Sequence, residues 1–203
     1  RNGALDVVTS DSYRLSLVKG SIDSDITFDI IVPAKILSEI LSSADDEDKI
    51  TNVVFNSKYI KIQTGKTTLV TGLISGNFIN YDNIIPKEYK TKMVCGRQAL
   101  LSILERAFVL SDKTTLYPVK FEIGYSKLFV SSNSEAGEAY EEIQVQTDGD
   151  GLTIAFNSKY FIEILRNTEY ENLQFEFTSS TRTCVIRPTD ADDVLYLILP
   201  IRM

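Results

Sequence analysis

The chain has no histidine, and its two cysteines, Cys95 and Cys184, lie far apart. Without imidazole there is no Ser-His-Asp or Cys-His nucleophile and no histidine-held metal, and two distant thiols cannot form a zinc cluster. Both cysteines sit in apolar runs and read as buried, reduced thiols. None of the ten glycines falls in a phosphate-cradling loop followed by Lys and Ser or Thr. Carboxylates are plentiful, but their spacing points away from chemistry. Asp148-Gly149-Asp150-Gly151 has the opening of a calcium loop without the distal Glu, and reads as a hairpin turn. Residues 44–49, ADDEDK, set acids side by side where they cannot converge on one ion, and read as a solvated loop. No motif marks the paired carboxylates of glycoside hydrolysis. The sequence predicts neither catalysis nor a cofactor.

Surface is what remains for function, and the elements that would carry it repeat. Three helical segments align without gaps: 35–41 (KILSEIL), 98–104 (QALLSIL) and 159–165 (KYFIEIL). An apolar strand precedes each, at 26–32, 92–95 and 152–156. Three strand-like runs follow each, at 50–55, 59–63 and 69–74, then 119–123, 127–132 and 138–146, then 173–178, 183–187 and 194–199. The pattern is a β-α-β-β-β unit recurring about every 60 residues. Two further strands, 5–9 and 14–18, are the tail of an incomplete unit. Pro33 suits the first turn of the first helix, and Asn157 the N-cap of the third. The polar stretch 76–90 suits a domain boundary. The expected class is α+β, with helices covering one face and antiparallel sheets on the other.

Charge narrows the function further. The net charge of -7 argues against a protein that grips nucleic acid over its whole surface, so any such contact must be local. On the first and third helices, Lys35 with Glu39 and Lys159 with Glu163 fall at i, i+4 opposite the apolar stripe, and Arg166 extends that face. The chain ends on Leu195-Tyr196-Leu197-Ile198-Leu199-Pro200-Ile201-Arg202-Met203, where apolar residues run on past a proline. No apolar run reaches the roughly 18 residues of a membrane span, and the first residues have no secretion signal. A soluble, cytoplasmic protein is expected.

That ending resembles the Tyr, apolar, apolar, Met or Leu, Pro, apolar, Arg, Leu ending of the bacterial sliding clamps, the beta subunits of DNA polymerase III. Ser10-Asp11-Ser12-Tyr13-Arg14-Leu15 is similar to that family's Thr-Asp-Gly-His/Tyr-Arg-Leu. Val32-Pro33-Ala34-Lys35 is similar to its Val-Pro-Arg-Lys, and Gly76-Asn77-Phe78-Ile79-Asn80-Tyr81 to its Gly-Arg-Phe-Pro-Asp-Tyr. Departures are Ser10 and Ser12 for Thr and Gly, Ile79 for Pro, Asn83 where Arg is common, and Met203 for Leu.

The resemblance implies the DNA-clamp fold and a non-catalytic processivity factor, in which two subunits form a ring around duplex DNA. Residues 1–88 would be the second half of the middle clamp domain and 89–203 the complete third domain, the chain being a fragment of a longer protein. Duplex DNA would be met non-specifically through the ring lumen, with Lys35, Lys159 and Arg166 facing it. The polymerase III alpha subunit, the clamp loader, other polymerases and repair proteins would dock short motifs of the Gln-Leu-x-Leu-Phe kind. The cleft would comprise Ser10, Tyr13, Arg14, Leu15, Ile79, Asn83, Ile84, Leu197, Leu199, Pro200, Ile201, Arg202 and Met203. Val109, Leu110, Glu135, Glu138 and Glu141 would belong to the subunit interface of the full-length homodimer. The competing reading is a stand-alone repeat domain that binds protein or carbohydrate and has no role on DNA.

Overall fold

The computed structural model describes residues 3–24, 26–43, 50–112, 114 and 116–202. The acidic stretch 44–49 and Met203 lie outside these. In chain order the elements are β1 (Ala4–Ser10), β2 (Arg14–Ser21), α1 (Ala34–Ser43), β3 (Ile50–Phe55), β4 (Tyr59–Thr64) and β5 (Thr67–Gly72). A 3-10 turn at Tyr81–Asn83 precedes β6 (Thr91–Gly96), α2 (Arg97–Val109), β7 (Pro118–Ile123), β8 (Lys127–Ser134), β9 (Gly137–Gln144) and β10 (Gln146–Gly149). The chain continues with β11 (Leu152–Asn157), α3 (Ser158–Asn167), β12 (Asn172–Phe177), β13 (Cys184–Pro188) and β14 (Val194–Ile198). Packing separates two units, one of residues 1–3 and 22–81 and a larger one of residues 4–21 and 82–203.

The larger unit holds two copies of the repeat, and each copy lends its first strand to the other. β6 pairs with β12, setting Met93 opposite Phe175, while β11 pairs with β7, setting Ile154 opposite Phe121. The result is a seven-stranded sheet, β1-β2-β14-β13-β12-β6-β10, and a four-stranded sheet, β11-β7-β8-β9, antiparallel throughout. Alternation in β7 buries Val119, Phe121 and Ile123, and helical spacing in α2 buries Leu100, Leu104 and Ala107, so both patterns point into one core. Phe121, Phe156 and Phe161 form its aromatic centre, with ring centroids 4.9 to 5.6 Å apart. Both thiols are buried there, and desolvation pushes Cys95 up to about 12 and Cys184 well above its ordinary value. They are inert thiols of a packed interior.

Two strand expectations change here. The single strand expected at 138–146 is two, because Val145 donates its N–H to the Ser126 carbonyl at 3.0 Å and the chain then moves to β6 as β10. The Asp148 to Gly151 stretch is therefore a crossing between two sheets and not a hairpin. Gly149 is required there: it has φ 97°, and a Cβ would collide with the Lys90 carbonyl.

The smaller unit is one repeat. α1 packs Ile36 and Ile40 on Ile60 and Ile62 of the three-stranded sheet β3-β4-β5. Its expected leading strand, 26–32, is reduced to one bridge, Ile31 to Ile74. The larger unit supplies the reason: leading strands there join the sheet of the other repeat, and among the described residues of the smaller unit no second sheet exists to receive one. No described helix is long and apolar enough to cross a membrane.

Candidate functional site

The C-terminal tail leaves one sheet and attaches to the other. β14 pairs with β2, with Leu197 opposite Leu15, and beyond the strand the Leu199 N–H still donates to the Tyr13 carbonyl at 2.9 Å. Pro200 has no N–H to continue that ladder. The next donor, Ile201, turns instead to the Ala155 carbonyl of β11 at 2.9 Å. Leu15 and Leu197 are buried and form a floor. Leu199 keeps 42% of its surface exposed and Tyr13 58%, while Pro200 and Ile201 are half-buried and Arg202 is exposed. This is an apolar surface with backbone already fixed on two sides, a form suited to an extended peptide.

The turn before β2 fixes its polar rim. Asp11 accepts from the N–H groups of Tyr13 and Arg14, each at 3.1 Å, and Ser10 donates its hydroxyl to the Arg14 carbonyl at 2.9 Å. Ser12 is held at φ 72°, the region that favours glycine, which gives a physical reason for the Gly in the motif it resembles. Arg14 is immobilised by Asp11 at 2.9 Å, by the Glu163 carboxylate, and by the Tyr160 ring, whose centroid lies 4.5 Å from its guanidinium carbon. Burial pushes Asp11 up, but the hydrogen bonds from Arg14 and from the Tyr13 N–H outweigh it and leave the carboxyl below its usual range. Burial likewise opposes the charge on Arg14, and its bonds to Glu163 and Asp11 more than offset that.

Tyr160, Glu163 and Asp11 were absent from the sequence-derived set. Glu163 was expected to pair with Lys159 one turn away, yet its partner is Arg14, because β2 brings a guanidinium closer to the carboxylate than the flexible lysine. Tyr160 stacks on Tyr13 with centroids 6.3 Å apart. The available signal was its place directly after Lys159, off the centre of the apolar stripe. A recess of about 330 Å³ opens beside these groups, lined by Asp11, Arg14, Ser16, Glu163, Asn167 and Tyr196. Asn83 and Ile84 are exposed in the larger unit, and Ile79 is exposed in the smaller one.

The expected cationic positions lie on exposed helix surfaces. Lys35 is exposed on α1. Lys159 and Arg166, seven residues apart, share the outer face of α3, which starts under a cap in which Asn157 accepts from the Lys159 N–H at 3.0 Å. Arg166 is engaged by Glu105 of α2, with its Nε and Nη2 donating at 3.0 and 2.7 Å. At the other end of α2, Val109 is 70% exposed and Leu110 half-buried. β9 is the open edge of the four-stranded sheet. Glu135 and Glu138 are exposed, and Glu138 accepts from Asn133 at 2.9 Å. Glu141 is paired with Arg106, which donates to both its oxygens and keeps its carboxyl below the usual range.

A family profile described as the DNA polymerase III beta subunit, C-terminal domain, matches residues 82–202, and one for the central domain of the same subunit matches residues 1–80. The beta sliding clamp of Streptococcus pneumoniae is 31% identical over 202 residues, covering 98% of this chain and 53% of that protein. The beta sliding clamp of Chlamydia muridarum is 30% identical over 205 residues, covering 100% and 55%. A crystal structure of the DNA polymerase sliding clamp from Bacillus subtilis superimposes with a TM-score of 0.94 at 28% identity, covering 100% of this chain and 55% of that one. The chain spans about half the length of the curated relatives it matches.

Proposed function

Because the chain belongs to the DNA polymerase III beta subunit family, we propose that it is part of a sliding clamp, a non-catalytic processivity factor acting in the cytoplasm. Its full-length form closes as a homodimeric ring on duplex DNA and tethers the polymerase III alpha subunit, the clamp loader and repair proteins by short peptide motifs. Residues 1–88 then derive from the second half of the middle domain, and 89–203 form the third domain.

The tail geometry supports the peptide site most directly. Leu199, Pro200 and Ile201 are pinned between Tyr13 of one sheet and Ala155 of the other, and expose apolar side chains beside an arginine whose charge is already answered. Leu15 and Leu197 form the floor, with Ser10, Asn83, Ile84, Arg202 and Met203 as further members. A peptide anchored by one or two large apolar residues suits such a surface, with affinity on the order of micromolar. Titration of a labelled Gln-Leu-x-Leu-Phe peptide by fluorescence anisotropy tests the reading. Binding is expected with the intact chain and is lost when Pro200 to Met203 are removed; undiminished binding by the truncated chain puts the site elsewhere.

Lys35, Lys159 and Arg166 are proposed as DNA-facing, and an acidic exterior is compatible with this because a ring is held by topology and needs only weak, salt-sensitive contacts. In the full-length protein, reversing all three charges is expected to lower processivity without unfolding the subunit. Val109, Leu110, Glu135, Glu138 and the β9 edge are proposed as one side of the ring seam. Glu141, paired with Arg106, would join it only through that pair.

A further inference from the structure

Given the DNA-facing reading of Lys159 and Arg166, on which this rests, we propose that Glu105 of α2 restrains the DNA contact of Arg166. Its carboxylate holds the guanidinium against an arriving phosphate, so the helix face grips duplex DNA less tightly than its cations alone would.

The cations of α2 and α3 are not equally available. Arg97 donates to the Leu165 carbonyl at 2.9 Å, and Arg106 is paired with Glu141. Arg166 gives both Nε and Nη2 to one oxygen of Glu105, at 3.0 and 2.7 Å. Lys159, on the same face of α3, forms no ion pair among the described residues. Each arginine of the two helices is therefore engaged, and the lysine is not. Glu105 and Arg166 also occupy equivalent places in the two repeats, each one residue after the last aligned leucine, Leu104 and Leu165. The helix pair thus sets an acid against a base at one point, and the two charges there sum to zero.

Holding the fold together is a poor account of this pair. The Glu105 side chain is 41% exposed and that of Arg166 61%, and an ion pair so open to water contributes little to stability. The two helices are already joined through the apolar core that both enter. The same exposure gives the pair its consequence for a ligand, because both charges lie where a phosphate would arrive.

Arg166 Nη1 has no hydrogen-bond partner among the described residues, so a phosphate can approach on that side. It then meets a guanidinium with a carboxylate in direct contact, well inside the roughly 8 Å over which charges act on one another at physiological salt. The phosphate either accepts from a half-neutralised cation or displaces Glu105 from it. Both routes weaken the contact relative to a free arginine. Lys159 has no such competitor, so the two cations of α3 are unequal partners for DNA.

The test uses the full-length protein and a short labelled duplex, with affinity measured by fluorescence anisotropy from low to physiological salt. Glu105→Gln keeps the shape of the side chain and removes its charge. It is expected to bind about threefold more tightly at low salt. Its plot of log affinity against log salt should steepen by up to about 0.9, the value of one added phosphate contact. Arg166→Gln and Lys159→Gln each bind more weakly. In the Arg166→Gln background, Glu105→Gln gains less, since no guanidinium is left to release; this separates release of Arg166 from simple loss of an acid. Melting temperatures stay near the parent's, both side chains being exposed. A Glu105→Gln protein that binds no more tightly, or that gains equally in both backgrounds, overturns the role of Glu105. If Arg166→Gln and Lys159→Gln weaken binding while Glu105→Gln changes nothing, the DNA-facing reading stands and only the restraint falls. If neither cation variant alters binding, the DNA-facing reading falls and the restraint with it.

Discussion

The same repeat occurs once in the smaller unit and twice in the larger, and the two interiors differ accordingly. Doubling the repeat exchanges first strands, joins two helices and buries a cluster of phenylalanines, whereas among the described residues the core cluster of the single copy is Ile36, Ile40, Ile60 and Ile62, with Ile30, Val32, Phe55, Leu69 and Leu73 half-buried against it. The lesson is that this β-α-β-β-β unit encodes a shape but not a complete core. Its apolar stripe is wider than its own three strands can cover, and the remainder is addressed to a second unit.

Equivalent substitutions in the two regions measure that difference. Phe161→Ala, at a position sealed by the opposite repeat, should destabilise the larger unit by about 3–5 kcal/mol. Leu37→Ala, at the corresponding place in α1, should cost only about 1 kcal/mol, since much of that side chain already meets water. Chemical denaturation followed by circular dichroism, with each unit's transition resolved, checks both values. Equal losses would mean that the smaller unit is as complete as the larger.

A smaller effect is expected at the polar rim. Arg14→Ala removes a guanidinium that joins β2 to α3 through Asp11, Glu163 and the Tyr160 ring, and should cost about 1–3 kcal/mol in the larger unit alone. If peptide affinity falls by much more than that stability loss explains, Arg14 touches the ligand as well as holding the turn.

Acid adds a third contrast. Asp11 and Glu141 belong to the larger unit, and both carboxyls sit below their ordinary values in the folded chain. A depressed folded value means stability that is present above the unfolded value and lost as pH falls through the folded one. Melting of the larger unit should therefore drop below about pH 4, and Asp11→Asn or Glu141→Gln should each flatten that drop. An unchanged slope in both variants would show that these ion pairs contribute nothing.

Smallest of all, Ser12→Gly should stabilise the hairpin β1–β2 by about 1 kcal/mol by relieving a positive φ. A lower melting temperature would show that the serine hydroxyl is worth more than the strain.

Most helices and strands were legible because α2, α3, β7 and β8 combine local periodicity with burial on the predicted side. What stayed hidden was pairing. Nothing local in 92–95 or 152–156 says that each strand crosses to the other repeat, nor that 26–32 has no described sheet to join. Arg14 and Glu163 are separated by most of the chain, so the nearby Lys159 was the partner that sequence spacing offered, and Tyr160 was invisible as a rim residue for the same reason. The tail stood out for the opposite reason: apolar residues continuing past Pro200 break the local rule for a terminal strand, and in the structure the chain there leaves its strand for the Ala155 carbonyl.

The most direct test follows backbone amide shifts of the isotopically labelled chain by NMR as an unlabelled Gln-Leu-x-Leu-Phe peptide is added. Shifts should concentrate at Tyr13, Arg14, Leu15, Leu199, Ile201 and Arg202, leaving α1 and β9 unmoved. Shifts centred on Val109 and β9, or on α1, with the tail unmoved, would contradict the assignment of the peptide site to the crossing of the C-terminal tail.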